Sequence, residues 1–147
     1  MITVLLVDDH AFIRKSLRFL LETTDDIQVM ATASNGVEAV SRASSHCPDV
    51  AVIDISMPLM DGIEAARQIR VHCPLTRVMM LSMFDSPEYV QRALQVGALG
   101  YVLKDTVSED LLAAIRALFK GQRYFSQKIA EVAEKYMGEK GKDSWAG

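Results

Sequence analysis

The chain has 147 residues, of which 50% are hydrophobic and 24% are charged, and this composition is typical of one soluble globular domain. Its formal net charge of −3 gives no indication of the positively charged surface that binds nucleic acid. The N-terminal apolar run is short and ends in two acids, which excludes a signal peptide and a membrane span, so we expect a cytoplasmic protein without a membrane partner.

Five short apolar runs alternate with segments of helical period along the chain. We predict strands over residues 4–7, 27–31, 50–53, 78–81 and 100–103. We predict helices over residues 11–23, 36–45, 62–72, 87–96 and 108–120, with N-cap candidates at Ser34 or Asn35, Asp61, Ser86 and Ser108. This alternation is typical of βαβ units, and it predicts an α/β fold with a doubly wound parallel sheet.

The two cysteines, Cys47 and Cys73, each lie in a His-Cys-Pro tripeptide, at residues 46–48 and 72–74. Two cysteines in a chain of this class do not indicate a disulfide framework. A zinc site of two histidines and two cysteines is the less favoured alternative, because the spacing lacks the compact pattern of a zinc finger. We therefore expect each proline simply to end a helix before the next strand.

Polar side chains follow the predicted strands where those strands end. Asp8 and Asp9 follow the first strand, Asp54 the third, Ser82 the fourth and Lys104 the fifth. Each residue alone has a plain structural explanation, as a helix cap or a loop charge, but in a parallel sheet all five should meet at the carboxyl edge. Three acids there suit a hard divalent cation, Mg²⁺ or Mn²⁺, and the lysine and serine suit a phosphoryl group. The pattern predicts a metal-assisted phosphoryl site with Asp54 as a possible nucleophile.

In this arrangement the chain resembles the receiver domain of two-component response regulators over about residues 2–121. The matching residues are Val7-Asp8-Asp9, Asp54 with Met57-Pro58 and Gly62, Ser82, and Gly100-Tyr101-x-x-Lys104. The resemblance implies a flavodoxin-like (βα)5 fold, with a five-stranded parallel sheet of order 2-1-3-4-5. It also implies a phosphoacceptor rather than an enzyme, a protein that promotes only its own phosphoryl transfer and dephosphorylation.

The resemblance assigns roles to the acids by position. Asp54 is the expected phosphoacceptor, and its donor is the phosphohistidine of a sensor histidine kinase. Asp9 is expected to bind Mg²⁺ directly and Asp8 mainly through water, while Asp54 and the backbone carbonyl of Ser56 complete the protein ligands. Mn²⁺ is an alternative ion.

The resemblance also implies a switch. Lys104 should pair with the phosphoryl group, Ser82 should move to hydrogen-bond it, and Tyr101 should turn inward. Together these changes would shift the equilibrium between two packings of the face formed by the fourth helix, fifth strand and fifth helix.

Three positions are expected to tune hydrolysis of the aspartyl phosphate. Ser56 and Phe84 occupy the tuning positions of the family, and the bulky Met83 stands where a small residue is frequent. Because Phe84 has no group that orients water, we expect a long-lived phosphate. Asp105 replaces the proline that often follows the lysine in the wider family, which leaves the geometry of the Lys104–Asp105 peptide open.

Within the family, the chain is most similar to the NarL/FixJ (LuxR-type) branch, on the residues 7–10, Lys104-Asp105 and the stretch KGQRYFSQKIAE. Members of this branch usually bind DNA through a C-terminal helix-turn-helix, which these 147 residues do not include. We expect a receiver at 1–121, an amphipathic linker helix at 122–138 and a flexible tail at 139–147. We interpret the chain as part of a longer transcription regulator that is able to form a homodimer on phosphorylation, with a natural single-domain regulator as the alternative.

Three other functions remain as alternatives. A phosphatase of the haloacid dehalogenase type would need a second Asp two residues after the nucleophile, where this chain has Ser56. A flavin binder would need a Ser, Thr or Gly loop after the first strand, where this chain has Asp8-Asp9. A receiver that acts only as a binding module would not need the complete set of site residues.

Overall fold

A parallel sheet of six strands forms the centre of the molecule, which we describe from a computed structural model covering residues 1–146, with side chains to residue 138. The strands are β1 (Ile2–Val7), β2 (Ile27–Ala33), β3 (Val50–Asp54), β4 (Arg77–Ser82), β5 (Gly100–Leu103) and β6 (Tyr124–Phe125). Their order is β2-β1-β3-β4-β5-β6, with every neighbouring pair parallel. The predicted order 2-1-3-4-5 is therefore confirmed, with one further strand at the β5 edge.

Six helices cover both faces of the sheet. They are α1 (Ala11–Leu21), α2 (Gly36–Ser45), α3 (Gly62–His72), α4 (Pro87–Gln95), α5 (Val107–Phe119) and α6 (Gln127–Ala146), and a 3₁₀ turn (Lys104–Thr106) precedes α5. Buried residues of α1 and α5 pack on one face of the sheet, and those of α2, α3, α4 and α6 pack on the other. Strand residues are buried on both faces, as expected for a parallel sheet.

The helix starts agree with the predicted caps at two of four sites. The Asn35 side chain accepts a hydrogen bond from the Glu38 amide at 2.8 Å, and that of Asp61 accepts one from the Glu64 amide at 2.9 Å. Ser86 forms no side-chain cap. Ser108 lies inside α5, which begins one residue earlier because the 3₁₀ turn leads directly into it. No peptide bond in the described part of the chain is cis, including the one after Lys104.

The strand β6 was not predicted, since two residues are too few to produce an alternating pattern. Tyr124 pairs with Gly100, and Phe125 pairs with Tyr101. The pairing covers the outer edge of β5, which would otherwise present unpaired amide and carbonyl groups.

The helix α6 follows β6 and packs against α4. Ile129 and Ala133, which belong to its predicted apolar stripe, are fully buried in the same core as Val90 and Ala93 of α4. The flexible tail predicted for 139–147 lies outside the residues whose side chains are described. No described helix combines the length and the apolar character needed to cross a membrane.

Cys47 and Cys73 form a disulfide, with their Cα atoms 5.6 Å apart, so the expectation that these two cysteines do not make a disulfide framework is wrong. Each cysteine follows the end of a helix, α2 or α3. These two helices pack side by side and end at the same edge of the sheet, so residues far apart in sequence meet there. The disulfide also consumes both thiolates that the alternative zinc site would require.

Candidate functional site

The acids at the ends of β1 and β3 lie side by side because these strands are neighbours in the sheet. Val7 is paired with Ile53, so Asp8 and Asp54, the residues that follow them, meet at the carboxyl edge. Asp8 is fully buried and Asp54 is only 2% exposed, whereas the Asp9 side chain is 27% exposed. The predicted cluster of three acids is therefore present as a mostly buried group.

Lys104 lies directly against this cluster. Its Nζ atom is 3.0 Å from Oδ2 of Asp8 and 3.2 Å from Oδ2 of Asp54. Burial alone would lower the pKa of Lys104, but the contact with Asp8 and the charge of Asp54 outweigh burial and raise it. The lysine thus remains a cation and compensates part of the buried negative charge.

The carboxyl group of Asp54 has an altered acidity. Burial first, and the charge of Asp8 second, raise its pKa to about 6, although Lys104 acts in the opposite direction. One ammonium group therefore does not fully compensate the clustered acids.

Three carboxylate oxygens of the cluster are buried without a well-directed hydrogen bond from any described residue: Oδ2 of Asp8, Oδ1 of Asp9 and Oδ2 of Asp54. Two of them are in ion-pair contact with Lys104, and we attribute that attraction to charge rather than to directed hydrogen bonding. Buried acceptors without donors are costly unless a cation approaches them. As metal ligands, these three carboxylate oxygens fit a hard divalent ion.

Ser82 and Tyr101 are both buried, at 1% exposure each. The Ser82 hydroxyl accepts a hydrogen bond from the Phe84 amide at 2.9 Å, and the Tyr101 hydroxyl donates one to the Phe84 carbonyl at 2.6 Å. The Phe84 ring stacks on Tyr89 with the ring centres 4.9 Å apart. The backbone of Phe84 therefore connects the serine at the site to the tyrosine and to the first turn of α4.

The three positions expected to tune hydrolysis lie on two sides of the cluster. Met83 is 78% exposed and lines a surface cavity of about 460 Å³ together with Lys104. Ser56 lines a second cavity beside Asp9, and its amide donates a long hydrogen bond of 3.4 Å to Asp54 Oδ1. Phe84 is 42% exposed.

Two residues contribute more to the site than the sequence indicated. A side chain on Gly62 would place its Cβ 2.0 Å from the Asp54 carbonyl oxygen, so only glycine allows α3 to start against the tip of β3. The Nδ1 atom of His10 lies 3.3 Å from Asp8 Oδ1 and 3.1 Å from Asp9 Oδ1. In the sequence, His10 stands out only as part of the residues 7–10 that resemble the NarL/FixJ branch, and its position directly after the two acids was the signal for a place in the site.

Comparison with known proteins places this geometry in a family. The model of the response regulator receiver domain matches residues 4–116. The oxygen regulatory protein NreC of Staphylococcus epidermidis is 38% identical over 127 residues, which are 86% of this chain and 58% of that relative. The chain therefore spans less than two thirds of the length of this relative.

Solved structures give the same result. A LuxR-family two-component response regulator from Aurantimonas sp. SI85-9A1 superposes with a TM-score of 0.87 and 32% identity, covering 92% of this chain and 96% of that one. The signal receiver domain of a NarL response regulator from Mycobacterium tuberculosis has a TM-score of 0.78 and 35% identity, covering 82% and 98%. The chain belongs to the response regulator receiver domain family, in its NarL/FixJ branch.

Proposed function

We propose that this chain accepts a phosphoryl group on Asp54 from the phosphohistidine of a sensor kinase and changes conformation in response. The observation that carries the proposal is the position of Asp54, buried at the tip of β3 between Asp8 and Lys104. A packed strand fixes the nucleophile, and two surface cavities flank it, one lined by Asp9 and Ser56 and the other by Met83 and Lys104.

In the proposed transfer, an oxygen of the Asp54 carboxylate attacks phosphorus and forms an acyl phosphate. The bond from phosphorus to the donor histidine nitrogen breaks, and that nitrogen keeps the electron pair. Asp8, Asp9, Asp54 and the Ser56 carbonyl would hold Mg²⁺, or Mn²⁺ in its place. A bound divalent cation supplies charge neutralisation at the phosphoryl oxygens.

Lys104 and Ser82 would hold the transferred group. Lys104 needs only a small movement to exchange its contact with Asp54 for one with a phosphoryl oxygen, since its Nζ already lies 3.2 Å from the nucleophile. Ser82 would release the Phe84 amide to donate its hydroxyl to the same group. The loop at Phe84 would then rearrange, and the inward position of Tyr101 would stabilise the new loop.

Hydrolysis of the acyl phosphate should be slow. Neither Met83 nor Phe84 carries a group that orients a water molecule for attack on the phosphoryl group. The side chain of Ser56 is too short to take over that role. The proposed role is that of a phosphoacceptor, which promotes only its own phosphorylation and dephosphorylation.

The proposed output is control of transcription in the cytoplasm. Residues 1–121 would act as the receiver and residues 122–138 as a linker helix to a DNA-binding domain outside this chain. Phosphorylation would favour a homodimer, as suits a regulator that binds two half-sites.

Intact-mass spectrometry after incubation with acetyl phosphate tests the proposal. We expect a Mg²⁺-dependent gain of about 80 Da that EDTA prevents and that Asp54→Asn lacks, because phosphorylation adds one phosphoryl group. Asp105→Asn is the matched control, since it removes an exposed acid beside Lys104, and it should keep the adduct. An adduct that survives in Asp54→Asn would overturn Asp54 as the acceptor.

A further inference from the structure

His10 lies at the mouth of the acid cluster, and its imidazole contacts the acids instead of capping α1. It occupies the N-cap position of α1, but its side chain forms no capping hydrogen bond. The ring is 64% exposed, while Nδ1 points to the acids, 3.3 Å from Asp8 Oδ1 and 3.1 Å from Asp9 Oδ1. An imidazole nitrogen this close to two carboxylate oxygens either donates its hydrogen to one of them or, when it carries no hydrogen, is able to bind a metal ion together with them.

The geometry suits a single ion. One ligand atom from each of Asp8, Asp9, His10 and Asp54 lies within 4.8 Å of all the others. Two ligands on opposite sides of one ion are about 4–5 Å apart at ordinary coordination distances. Among the buried carboxylate oxygens that lack a hydrogen-bond donor, Oδ1 of Asp9 is the one that Lys104 does not contact, and it faces His10.

Lys104 does not occupy the same place. The ammonium group contacts Oδ2 of Asp8 and Oδ2 of Asp54, whereas the imidazole contacts Oδ1 of Asp8 and Oδ1 of Asp9. The ammonium and imidazole groups therefore use different oxygens of Asp8. Oδ1 of Asp8 also accepts a hydrogen bond from the His10 amide at 2.9 Å, so Oδ1 of Asp9 is the oxygen near His10 that has no directed donor.

We propose that His10 supplies a nitrogen ligand to the cation held by Asp8, Asp9 and Asp54, so that the site prefers imidazole-binding divalent ions to Mg²⁺. The proposal rests on the proposed function for the identity of the acid site. Mg²⁺ takes oxygen ligands and gains little from an imidazole, whereas Mn²⁺, Ni²⁺ and Cu²⁺ bind nitrogen with increasing strength along that series. The same site would then bind either class of ion, and the histidine would determine which class binds more tightly.

The test is calorimetric titration of the whole chain with Mg²⁺ and with Ni²⁺, for wild type, His10→Ala and His72→Ala. We expect His10→Ala to weaken Ni²⁺ binding by about tenfold or more and to change Mg²⁺ binding by less than about twofold. His72→Ala removes an exposed histidine from the end of α3 and should change neither affinity. Circular dichroism would verify that His10→Ala remains folded.

A second readout reports the ligand itself. The electron paramagnetic resonance spectrum of the chain with one equivalent of Cu²⁺ should show nitrogen coupling in wild type and His72→Ala, and none in His10→Ala. Equal Ni²⁺ affinities in wild type and His10→Ala, or unchanged nitrogen coupling, would overturn the role of His10. Failure of wild type to bind Mg²⁺, with His10-dependent Ni²⁺ binding intact, would contradict the metal requirement of the proposed function and leave this inference supported.

Discussion

The ionised carboxylate of Asp54 destabilises the folded state of the chain. Its pKa in the folded state is about 6 and its ordinary value is 3.8, chiefly because it is buried and because Asp8 is nearby. Between these two values the folded state binds more protons than the unfolded state. The free energy of unfolding of the metal-free protein should therefore fall as pH rises from about 4 to about 6, and it should stay low above that window.

We expect Asp54→Asn to remove this dependence. In EDTA at pH 8 the variant should melt about 3–6 °C above wild type, after allowance for screening by solvent. At pH 4 the two proteins should differ much less, because Asp54 is then protonated in the folded wild type. Melting curves recorded from pH 4 to pH 8 would check the sign of this pH dependence. A difference in melting temperature between the two proteins that grows toward low pH would contradict it.

The site residues could be predicted from the sequence because each one directly follows an apolar run. Asp54 and Lys104 are examples, since the end of a buried parallel strand fixes where the next side chain lies. His10 was missed because its distance to Asp9 depends on the turn into α1. The Phe84 connection between Ser82 and Tyr101 was missed for a similar reason, because it runs through backbone atoms that no residue pattern reveals.

At the scale of elements, the start of α3 is fixed against the tip of β3 by Gly62. We expect Gly62→Ala to cost several kcal/mol of stability, because the new methyl group would lie 2.0 Å from the Asp54 carbonyl and the backbone must move. Gly138→Ala is the matched control, with nothing within 4 Å of its added carbon, and it should stabilise α6 by about 0.5–1 kcal/mol. Urea denaturation measures both changes, and equal effects of the two variants would refute the steric argument.

The disulfide joins the ends of α2 and α3 on the edge of the sheet opposite the acids. It closes a loop with a sequence separation of 26, and a cross-link of this size is worth about 3 kcal/mol through restriction of the unfolded chain. Reduction or Cys73→Ser should therefore lower the melting temperature by several degrees. Alkylation before and after reduction, followed by mass measurement, would count the thiols. Two free thiols in the unreduced protein would exclude the bond.

The sequence predicted the five helices and strands of the receiver to within a few residues but not the pairs that form across the fold. The Cys47–Cys73 contact depends on how two helices pack side by side. The strand β6 depends on an edge that only the assembled sheet provides, and its two residues carry no pattern of their own. The predicted elements therefore follow from local periodicity, whereas the missed contacts follow from tertiary packing.

At the scale of the whole molecule, α6 belongs to the same core as the sheet, since Ile129 and Ala133 are buried in it. The Ser126 hydroxyl accepts a hydrogen bond from the Leu103 amide at 2.9 Å and donates one to Asp110 at 3.0 Å. Ser126 thus connects the start of α6 to the residue just before Lys104.

We expect Ala133→Glu to detach α6 from α4, because the new carboxylate would be buried without a partner. Hydrogen–deuterium exchange should then accelerate about tenfold or more in residues 127–138 and stay slow in β1 and β3. Gln127→Glu adds the same acid at an exposed position and should leave exchange unchanged. Faster exchange throughout the sheet would mean that the substitution unfolds the domain rather than releasing one helix.

The parallel pairing of Tyr124 and Phe125 with β5 has a practical consequence for anyone who shortens this chain. A protein cut after Gly121, where the sequence suggests that the receiver ends, would lose its outermost strand and the helix that shields Val90. The bare β5 edge would then offer its amides to any extended segment nearby, and self-association at high concentration would follow. The last residue of the family resemblance is thus not the last residue that keeps the β5 edge covered.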